Sequence, residues 1–145
     1  GAQQRAIADC MADMQRIYPM NRLLQGDVGS GKTLVAAAAA YFSYLNGFQT
    51  LVMAPTEVLA RQHYENITNM FEEYDIPIKV VLLTGSMSAK EKRRVYDRIE
   101  CGLAKIIIGT HALITEKVKY AFDKADIEIP YNKLDVYVKE TVEKQ

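Results

Sequence analysis

The sequence predicts a three-layer α/β fold, a parallel β-sheet flanked by helices, and three observations support it. Apolar segments typical of buried strands alternate with segments of helical periodicity. Residues 26–33 match the phosphate-loop pattern G-x-x-x-x-G-K-S/T at every fixed position. Loops of small or hydroxyl-bearing residues follow the predicted strands. In an open parallel sheet, that edge is where ligands bind.

Four segments are predicted to be strands of this sheet. The first leads into the phosphate loop, and the second is an apolar run without strict alternation, closed by Pro55. Such a run suits a strand that is buried on both faces of a parallel sheet. The predicted strands are residues 21–25, 49–54, 78–83 and 105–109.

Four segments have helical periodicity and alternate with the strands. They are residues 2–17, 33–45, 57–74 and 88–99. Pro19 follows the first helix, and Gly47 ends the second. Thr56 and Ser88 are predicted N-caps of the third and fourth helices, and Glu91 completes a capping box with Ser88. The order of elements implies right-handed crossovers between parallel strands.

The phosphate loop predicts binding of a nucleoside triphosphate. Its glycines let the backbone curl so that N–H groups point at phosphate oxygens, and the following helix adds partial positive charge. Lys32 would reach the β- and γ-phosphates, and the Thr33 hydroxyl would ligate Mg²⁺. The alternative is a glycine-rich turn that matches by chance, which the flanking strand and helix disfavour. The predicted nucleotide-binding residues of the loop are Gly26, Asp27, Val28, Gly29, Ser30, Gly31, Lys32 and Thr33.

The composition argues against several classes of protein, among them strongly basic nucleic-acid binders and membrane-spanning chains. The 145 residues are one domain's worth, and 18 basic residues balance 18 acidic ones, so nucleic-acid contacts must be local. Cys10 and Cys101 lie far apart without metal-ligand spacing, which favours reduced thiols in a cytoplasmic protein. The longest apolar run, residues 34–42, is too short to span a bilayer, and no secretory signal is visible.

Three loops at strand ends are candidate contacts for nucleic acid. Thr56 follows the second strand, Gly85 the third, and Thr110 with His111 the fourth. Small residues let a nucleic-acid backbone approach, and N–H and hydroxyl donors contact phosphates without reading bases. Each loop alone is a weak signal, and a simple helix cap is an equal alternative for Thr56. Together they predict a phosphate-binding edge.

The organisation changes near residue 119. Residues 127–131 and 134–140 alternate apolar with polar residues, as a half-exposed edge strand does, and Pro130 argues against a central strand. We therefore predict a domain over residues 1–118 and a tail over residues 119–145, either an edge strand or a segment joined across a deletion. An incomplete sheet would leave a gap, which the tail or a second copy of the chain could fill.

Taken together, these motifs resemble the first RecA-like motor domain of superfamily 2 DNA helicases, and closely the RecG family. The resemblance covers about residues 2–118, which is most of the chain. The phosphate loop is shared by thousands of ATPases, but the longer blocks are more specific. Transcription-repair coupling factor is a close relative with similar blocks. Gln25 before the phosphate loop and Ser30 within it favour a resemblance to RecG over that relative. The blocks are Ala2-Gln3, residues 22–33, residues 53–60 with Gln62 and His63, and residues 108–114.

The resemblance implies a role for individual residues. Gln3 would help to recognise the adenine, and Lys32 and Thr33 would hold the triphosphate and Mg²⁺ as the catalytic residues of this segment. Thr56, Gly85, Thr110 and His111 would lie on the DNA-tracking surface. Intact members of this family of P-loop NTPases couple ATP hydrolysis to translocation on duplex DNA, and they remodel branched or forked DNA. They need a wedge domain before this region and a second motor domain after it.

The chain departs from the family pattern after residue 118. The family continues into a strand ending in Asp-Glu-x-His, and no Asp-Glu pair follows an apolar run here; residues 134–140 come nearest, with Lys139 at the Asp position. The arginine finger, which the second motor domain supplies in this family, is lacking as well. An arginine finger alone increases the rate of hydrolysis by a factor of about 10³–10⁵. We therefore expect this chain alone, as a fragment of such a protein, to hydrolyse ATP at a negligible rate. The alternatives are a non-motor regulatory or structural nucleotide-binding module and, with less support, a small phosphate-loop kinase.

Overall fold

The computed structural model describes residues 1–27 and 29–110 of the chain. The predictions for Val28, His111 and residues 119–145 lie outside this part. Over the described residues, helices and strands alternate as the sequence predicts after the phosphate loop. The elements are α1 Ala2–Met14, α2 Lys32–Leu45, β1 Thr50–Ala54, α3 Glu57–Glu73, β2 Val80–Leu83, α4 Ala89–Glu100 and β3 Ile106–Thr110.

The described residues divide into two compact units. Residues 1–42 form one, called here the loop unit because it contains the phosphate loop. Residues 43–110 form the other, called the sheet unit. The boundary falls within α2.

The sheet unit contains a three-stranded parallel sheet in the order β1-β3-β2. β3 lies in the middle, with Ile106 in register with Thr50 of β1 and with Val80 of β2. Connections of parallel neighbours require crossovers, and α3 and α4 supply the helices between successive strands. The parallel α/β fold class is therefore confirmed.

The core of the sheet unit explains why its central strand is so apolar. Ile106, Ile107 and Ile108 have no exposed surface. Ile107 packs in a cluster with Val95 and Ile99 of α4, whereas its neighbours in sequence point to the opposite face of the sheet. Because all three are equally buried, β3 is covered on both faces. Full burial of one such side chain contributes about 1.5–3 kcal/mol.

The described part of the loop unit has its own buried side chains. Cys10, Met20 and Val35 form a cluster with Leu24 packed against it, and Ala37, Ala39 and Ala40 of α2 are buried as well. The predicted strand over residues 21–25 is wrong, because Leu24 alone forms a single bridge and its neighbours are not strand. A strand exists only when several consecutive residues pair with a neighbour, and an apolar run does not reveal whether that neighbour is present.

The helix boundaries show where local signals work. Thr56 and Ser88 cap α3 and α4 as predicted, and the capping box of Ser88 and Glu91 is formed. α1 ends at Met14, three residues before its predicted end, and Ile17 is 92% exposed. Pro19 directly restricts only Tyr18, the residue before it, so the end at Met14 is not explained by the proline, and the apolar period overestimates the length of the helix.

Two further predictions concern residue chemistry and the membrane. Cys10 and Cys101 are both free thiols, as expected for a chain without disulfides. Among the helices of residues 1–27 and 29–110, none combines the length and apolar character needed to cross a membrane. Self-association through an incomplete sheet stays a prediction.

Candidate nucleotide-binding site and strand-end loops

The phosphate loop of the loop unit adopts a curled backbone. Gly31 has a φ of +84°, a left-handed conformation that side-chain-bearing residues rarely adopt. The Ser30 N–H donates to the Asp27 carbonyl at 3.0 Å, and the Leu34 N–H donates to the Gly31 carbonyl at 3.0 Å. α2 begins at Lys32, directly after the curl. The N–H groups of Lys32 and Thr33, the first two residues of α2, have no intrahelical acceptor by helix geometry and suit an anion.

The Lys32 ammonium folds back over this loop. Its Nζ donates to the Gly26 carbonyl at 2.6 Å and to the Asp27 carbonyl at 2.8 Å, and the residue is 8% exposed. A buried ammonium must be hydrogen-bonded, and these bonds use two of its three donors. Asp27 contributes through its backbone carbonyl oxygen. The positive charge of Lys32 therefore lies beside the first two residues of the phosphate loop.

Gln3 of α1 contacts the same loop. Its Nε2 donates to the Ser30 carbonyl at 2.8 Å. A Cβ placed on Gly31 would overlap that nitrogen, so a larger residue there would displace the Gln3 side chain from the contact. The structure thus brings together Gln3, Gly31 and Lys32, which the sequence separates. Thr33 lies in the first turn of α2 and is half-buried.

An ion-pair network that the sequence did not reveal holds α1 beside the chain that enters the loop. Arg22 Nη2 and Nε donate to Asp13 Oδ2 at 2.6 and 2.9 Å, and Arg22 Nη1 lies 3.6 Å from Asp9. The hydrogen bonds to Asp13 raise the pKa of the guanidinium further. Burial raises the pKa of the neighbouring Cys10 thiol, which keeps it protonated at neutral pH. This network orients the helix that carries Gln3.

In the sheet unit, the candidate DNA-contacting positions lie at one edge. Thr110 ends β3 and is in register with Ala54 at the end of β1, so Thr56 follows two residues beyond. Leu83 at the end of β2 is in register with Gly109, and Gly85 follows it. Parallel strands place these carboxyl ends side by side. The predicted juxtaposition of Thr56, Gly85 and Thr110 is therefore present, while their contact with DNA stays a prediction.

The Thr56 hydroxyl also has a structural task at this edge. Its Oγ1 accepts a hydrogen bond from the Leu59 N–H at 3.3 Å, as an N-cap does. The cap uses a lone pair of the hydroxyl oxygen and does not involve the hydroxyl proton. A threonine in this position can therefore accept from the helix and donate to a phosphate oxygen. The structural and functional interpretations of Thr56 are compatible.

A cluster of three side chains, Glu57, Arg61 and Ser86, lies beside these loops and was not predicted. Arg61 Nη2 donates to Glu57 Oε1 and to Ser86 Oγ, each at 3.0 Å, and the Ser86 hydroxyl donates to the same Glu57 oxygen. These bonds, first from Ser86 and then from Arg61, lower the pKa of Glu57 below its usual range. The spacing of Glu57 and Arg61, one helical turn, was a visible signal. Ser86 belongs to the small-residue loop after the third predicted strand, but nothing in the sequence paired it with Glu57 or Arg61.

The donor set of the described residues limits which metals can bind. No group of three or more His, Cys, Asp or Glu side chains in the described ranges could hold a metal. Mg²⁺ fits the loop differently, because it keeps several waters and binds through few protein oxygens plus substrate phosphates. The Thr33 hydroxyl, in the first turn after the curled loop, offers one such protein oxygen. His63 of α3 is half-buried.

Comparison with known proteins now identifies the class. The chain belongs to the DEAD/DEAH box helicase family, whose model matches residues 1–136. Over most of its length it is, more particularly, RecG-like. It is 49% identical over 120 residues to the ATP-dependent DNA helicase RecG of Streptococcus pneumoniae, which covers 83% of this chain. It is 47% identical over 119 residues to RecG of Aquifex aeolicus, which covers 82%. The predicted resemblance is confirmed.

The chain is much shorter than these relatives. It spans 17% of the pneumococcal protein and 15% of the Aquifex protein. These matches favour the motor-domain interpretation, and none of them supports the alternative of a non-motor module. The activity of the whole protein is a separate question from the family of this segment.

Solved structures agree on the fold. A RecG bound to a three-way DNA junction superposes with a TM-score of 0.73 and 47% identity, over 79% of this chain and 16% of that one. A hypothetical ATP-dependent RNA helicase from Sulfolobus tokodaii gives a TM-score of 0.53 with 23% identity, over 82% of this chain and 38% of that one. The second match shows the fold alone. The three-strand sheet with its helices is therefore a helicase motor fold.

Proposed function

We propose that residues 1–118 form the ATP-binding part of the first motor domain of a RecG-like DNA helicase. In the intact protein, ATP hydrolysis would drive translocation on duplex DNA and the remodelling of branched or forked DNA. This assignment follows from RecG relatives that are named ATP-dependent DNA helicases and from a similar structure described as bound to a three-way junction. A cytoplasmic location belongs to the same proposal, in keeping with the free thiols.

The observation that carries the proposal is the position of Lys32. Its buried ammonium is held by the carbonyls of Gly26 and Asp27, on a loop whose backbone curls into a helix N-terminus. These partners are neutral carbonyls, whereas a phosphate oxygen carries a negative charge that attracts the ammonium in addition to accepting its hydrogen bond. A triphosphate can therefore take Lys32 from the loop carbonyls without leaving an unpaired buried charge.

Other residues of the loop unit complete the proposed nucleotide site. The N–H groups of Gly29 and of residues 31–33 would bind phosphate oxygens, and the Thr33 hydroxyl would ligate Mg²⁺, which neutralises phosphate charge when bound. Gln3 contacts Ser30 at the loop, and its amide is suited to reading the adenine edge. We expect the chain alone to bind ATP with negligible hydrolysis, since it carries no Asp-Glu pair after an apolar run.

The proposed DNA surface lies in the sheet unit. Thr56, Gly85 and Thr110 share one sheet edge and offer hydroxyl and backbone N–H donors. His111 is included by its sequence position next to Thr110. Donors of this kind position a nucleic-acid backbone without reading its sequence. The preference for branched DNA would come from other parts of the intact protein.

Calorimetric titration of the 145-residue chain with ATP and Mg²⁺ tests the nucleotide half of the proposal. We expect saturable binding that is lost in Lys32→Ala and retained in Lys79→Ala, which removes an exposed lysine of the sheet unit. A circular dichroism spectrum of each variant establishes that it is folded. Equal binding by wild type and Lys32→Ala would show that ATP is not held by this loop.

A further inference from the structure

The loop between β2 and α4, residues 84–88, is held by side chains from two helices. Lys92 of α4 donates from Nζ to the Gly85 carbonyl at 2.9 Å. Arg61 of α3 donates to Ser86 Oγ, and the Ser86 hydroxyl donates to Glu57. At the end of the loop, Ser88 and Glu91 form the capping box of α4. A short exposed loop with this many side-chain bonds has a fixed position.

The cluster of Glu57, Arg61 and Ser86 connects this loop to the start of α3. Glu57 directly follows Thr56, and Ser86 directly follows Gly85. Each proposed phosphate contact is therefore one residue away from a member of the cluster. A bond between Glu57 and Ser86 sets the separation of the two neighbouring backbones, and with it the separation of the two phosphate contacts.

Stability alone does not account for the cluster. Arg61 and Glu57 side chains are 50% and 34% exposed. Pairs of charged side chains in such settings contribute about 0.2–1 kcal/mol at most. A closed arrangement, in which each of three side chains contacts the other two, contributes orientation rather than a large free energy.

We propose that the Glu57–Arg61–Ser86 cluster is a positioning element, which holds the β2–α4 loop against the start of α3 so that Thr56 and Gly85 contact one DNA strand at a fixed spacing. The inference rests on the proposed function, because it takes the sheet edge to be the DNA surface. Arg61 acts through Glu57 and Ser86, and its charge is already paired with Glu57. The probe is a fluorescently labelled forked duplex.

Binding of this duplex by the 145-residue chain, measured by anisotropy at several salt concentrations, tests the proposal. We expect Ser86→Ala and Glu57→Gln each to weaken binding about three- to tenfold, and the double variant to be no worse than either, as for groups that act together. The slope of log K against log salt should stay unchanged, because no phosphate contact is removed. Glu65→Gln, the same charge change elsewhere on α3, is the matched control and should bind as wild type does.

Two results would overturn the positioning role. One is additive losses in the double variant. The other is an Arg61→Gln variant whose salt slope falls by about one while Glu57→Gln binds more tightly, which would make Arg61 a direct phosphate contact masked by Glu57.

Hydrogen exchange separates this proposal from the DNA-binding function itself. Amides of residues 84–88 should exchange faster in Ser86→Ala than in wild type, without DNA present. If wild type does not bind the forked duplex, the DNA part of the proposed function fails, and faster exchange still supports the cluster as the element that fixes the loop. Unchanged exchange in Ser86→Ala would overturn the positioning role whatever the DNA result.

Discussion

The loop unit and the sheet unit are stabilised by different interactions. The sheet unit has a large apolar core, in which Leu83, Ile99 and the three isoleucines of β3 have no exposed surface. In the described part of the loop unit, Cys10, Met20 and Val35 form a cluster beside buried alanines of α2, and the phosphate loop is shaped by hydrogen bonds to backbone carbonyls. The difference teaches that the predicted nucleotide site lies on a loop whose form depends on hydrogen bonds rather than on apolar side chains.

The contrast has a physical reason. A loop that must exchange internal bonds for bonds to a ligand cannot be locked by buried apolar area, because burial would hold it in one state. A loop that tracks a polymer must keep a fixed spacing, and it can be attached to a rigid sheet. The two units therefore combine an adaptable site with a rigid edge.

The largest expected effect is on the core of the sheet unit. Ile107→Ala should lower the free energy of unfolding by about 2–5 kcal/mol, because it leaves a cavity between β3 and α4. Urea denaturation of the 145-residue chain measures this. Val58→Ala, at a 75% exposed site on α3, is the control and should stay within about 0.5 kcal/mol. A small effect of Ile107→Ala would contradict the view that burial dominates this unit.

An intermediate effect is expected in the loop unit. Gly31→Ala places a side chain in a left-handed conformation, at about 1–2 kcal/mol, and its Cβ would displace Gln3. Gly29 has a similar φ of +81°, and a Cβ placed there would have no atom within 4 Å. Gly29→Ala should therefore have the conformational cost alone, without a steric overlap. ATP affinity, measured by calorimetry, should fall more in Gly31→Ala. Adding Gln3→Ala to Gly31→Ala should relieve the overlap and restore part of the folding stability; equal effects of the two glycine variants would mean that the Gln3 contact contributes nothing.

The smallest expected effect is the pH dependence of the α4 capping box. Hydrogen bonds from Ser88 lower the pKa of Glu91 in the folded chain. Its stabilisation is therefore fully present above the unfolded pKa of about 4.3, and it is lost as the pH falls through the lower folded value. Urea unfolding at about pH 7 and about pH 3 should show a larger difference for wild type than for Glu91→Gln, whose amide does not titrate in this range. Identical differences would show that Glu91 does not contribute.

Local signals predicted much of this molecule. The phosphate loop, the caps at Thr56 and Ser88, and the alternation of helices and strands after residue 31 all depend on neighbours in sequence, and all are present. Such features can be predicted because the residues that form them are a turn or less apart. The family resemblance added the identity of the class.

Features that depend on distant partners were missed. The segment at residues 21–25 lacks the sustained pairing that a strand needs, and periodicity carries no information on pairing. The bonds of Arg22 to Asp13 and of Ser86 to Glu57 join residues on different elements. Their charges and hydroxyls look like ordinary surface residues in the sequence. Only the fold shows that they meet.

The strand order β1-β3-β2 has a consequence for how the chain acquires its structure. The strand at the centre of the sheet is the last of the three in sequence, and β1 and β2 pair with β3 rather than with each other. During synthesis on the ribosome, β1 and β2 therefore lack β3, the strand with which each of them pairs, until Ile106 to Thr110 have emerged. Non-local pairing of this kind slows folding and exposes strand edges to association. Chaperone demand during synthesis should thus be highest just before the central strand arrives.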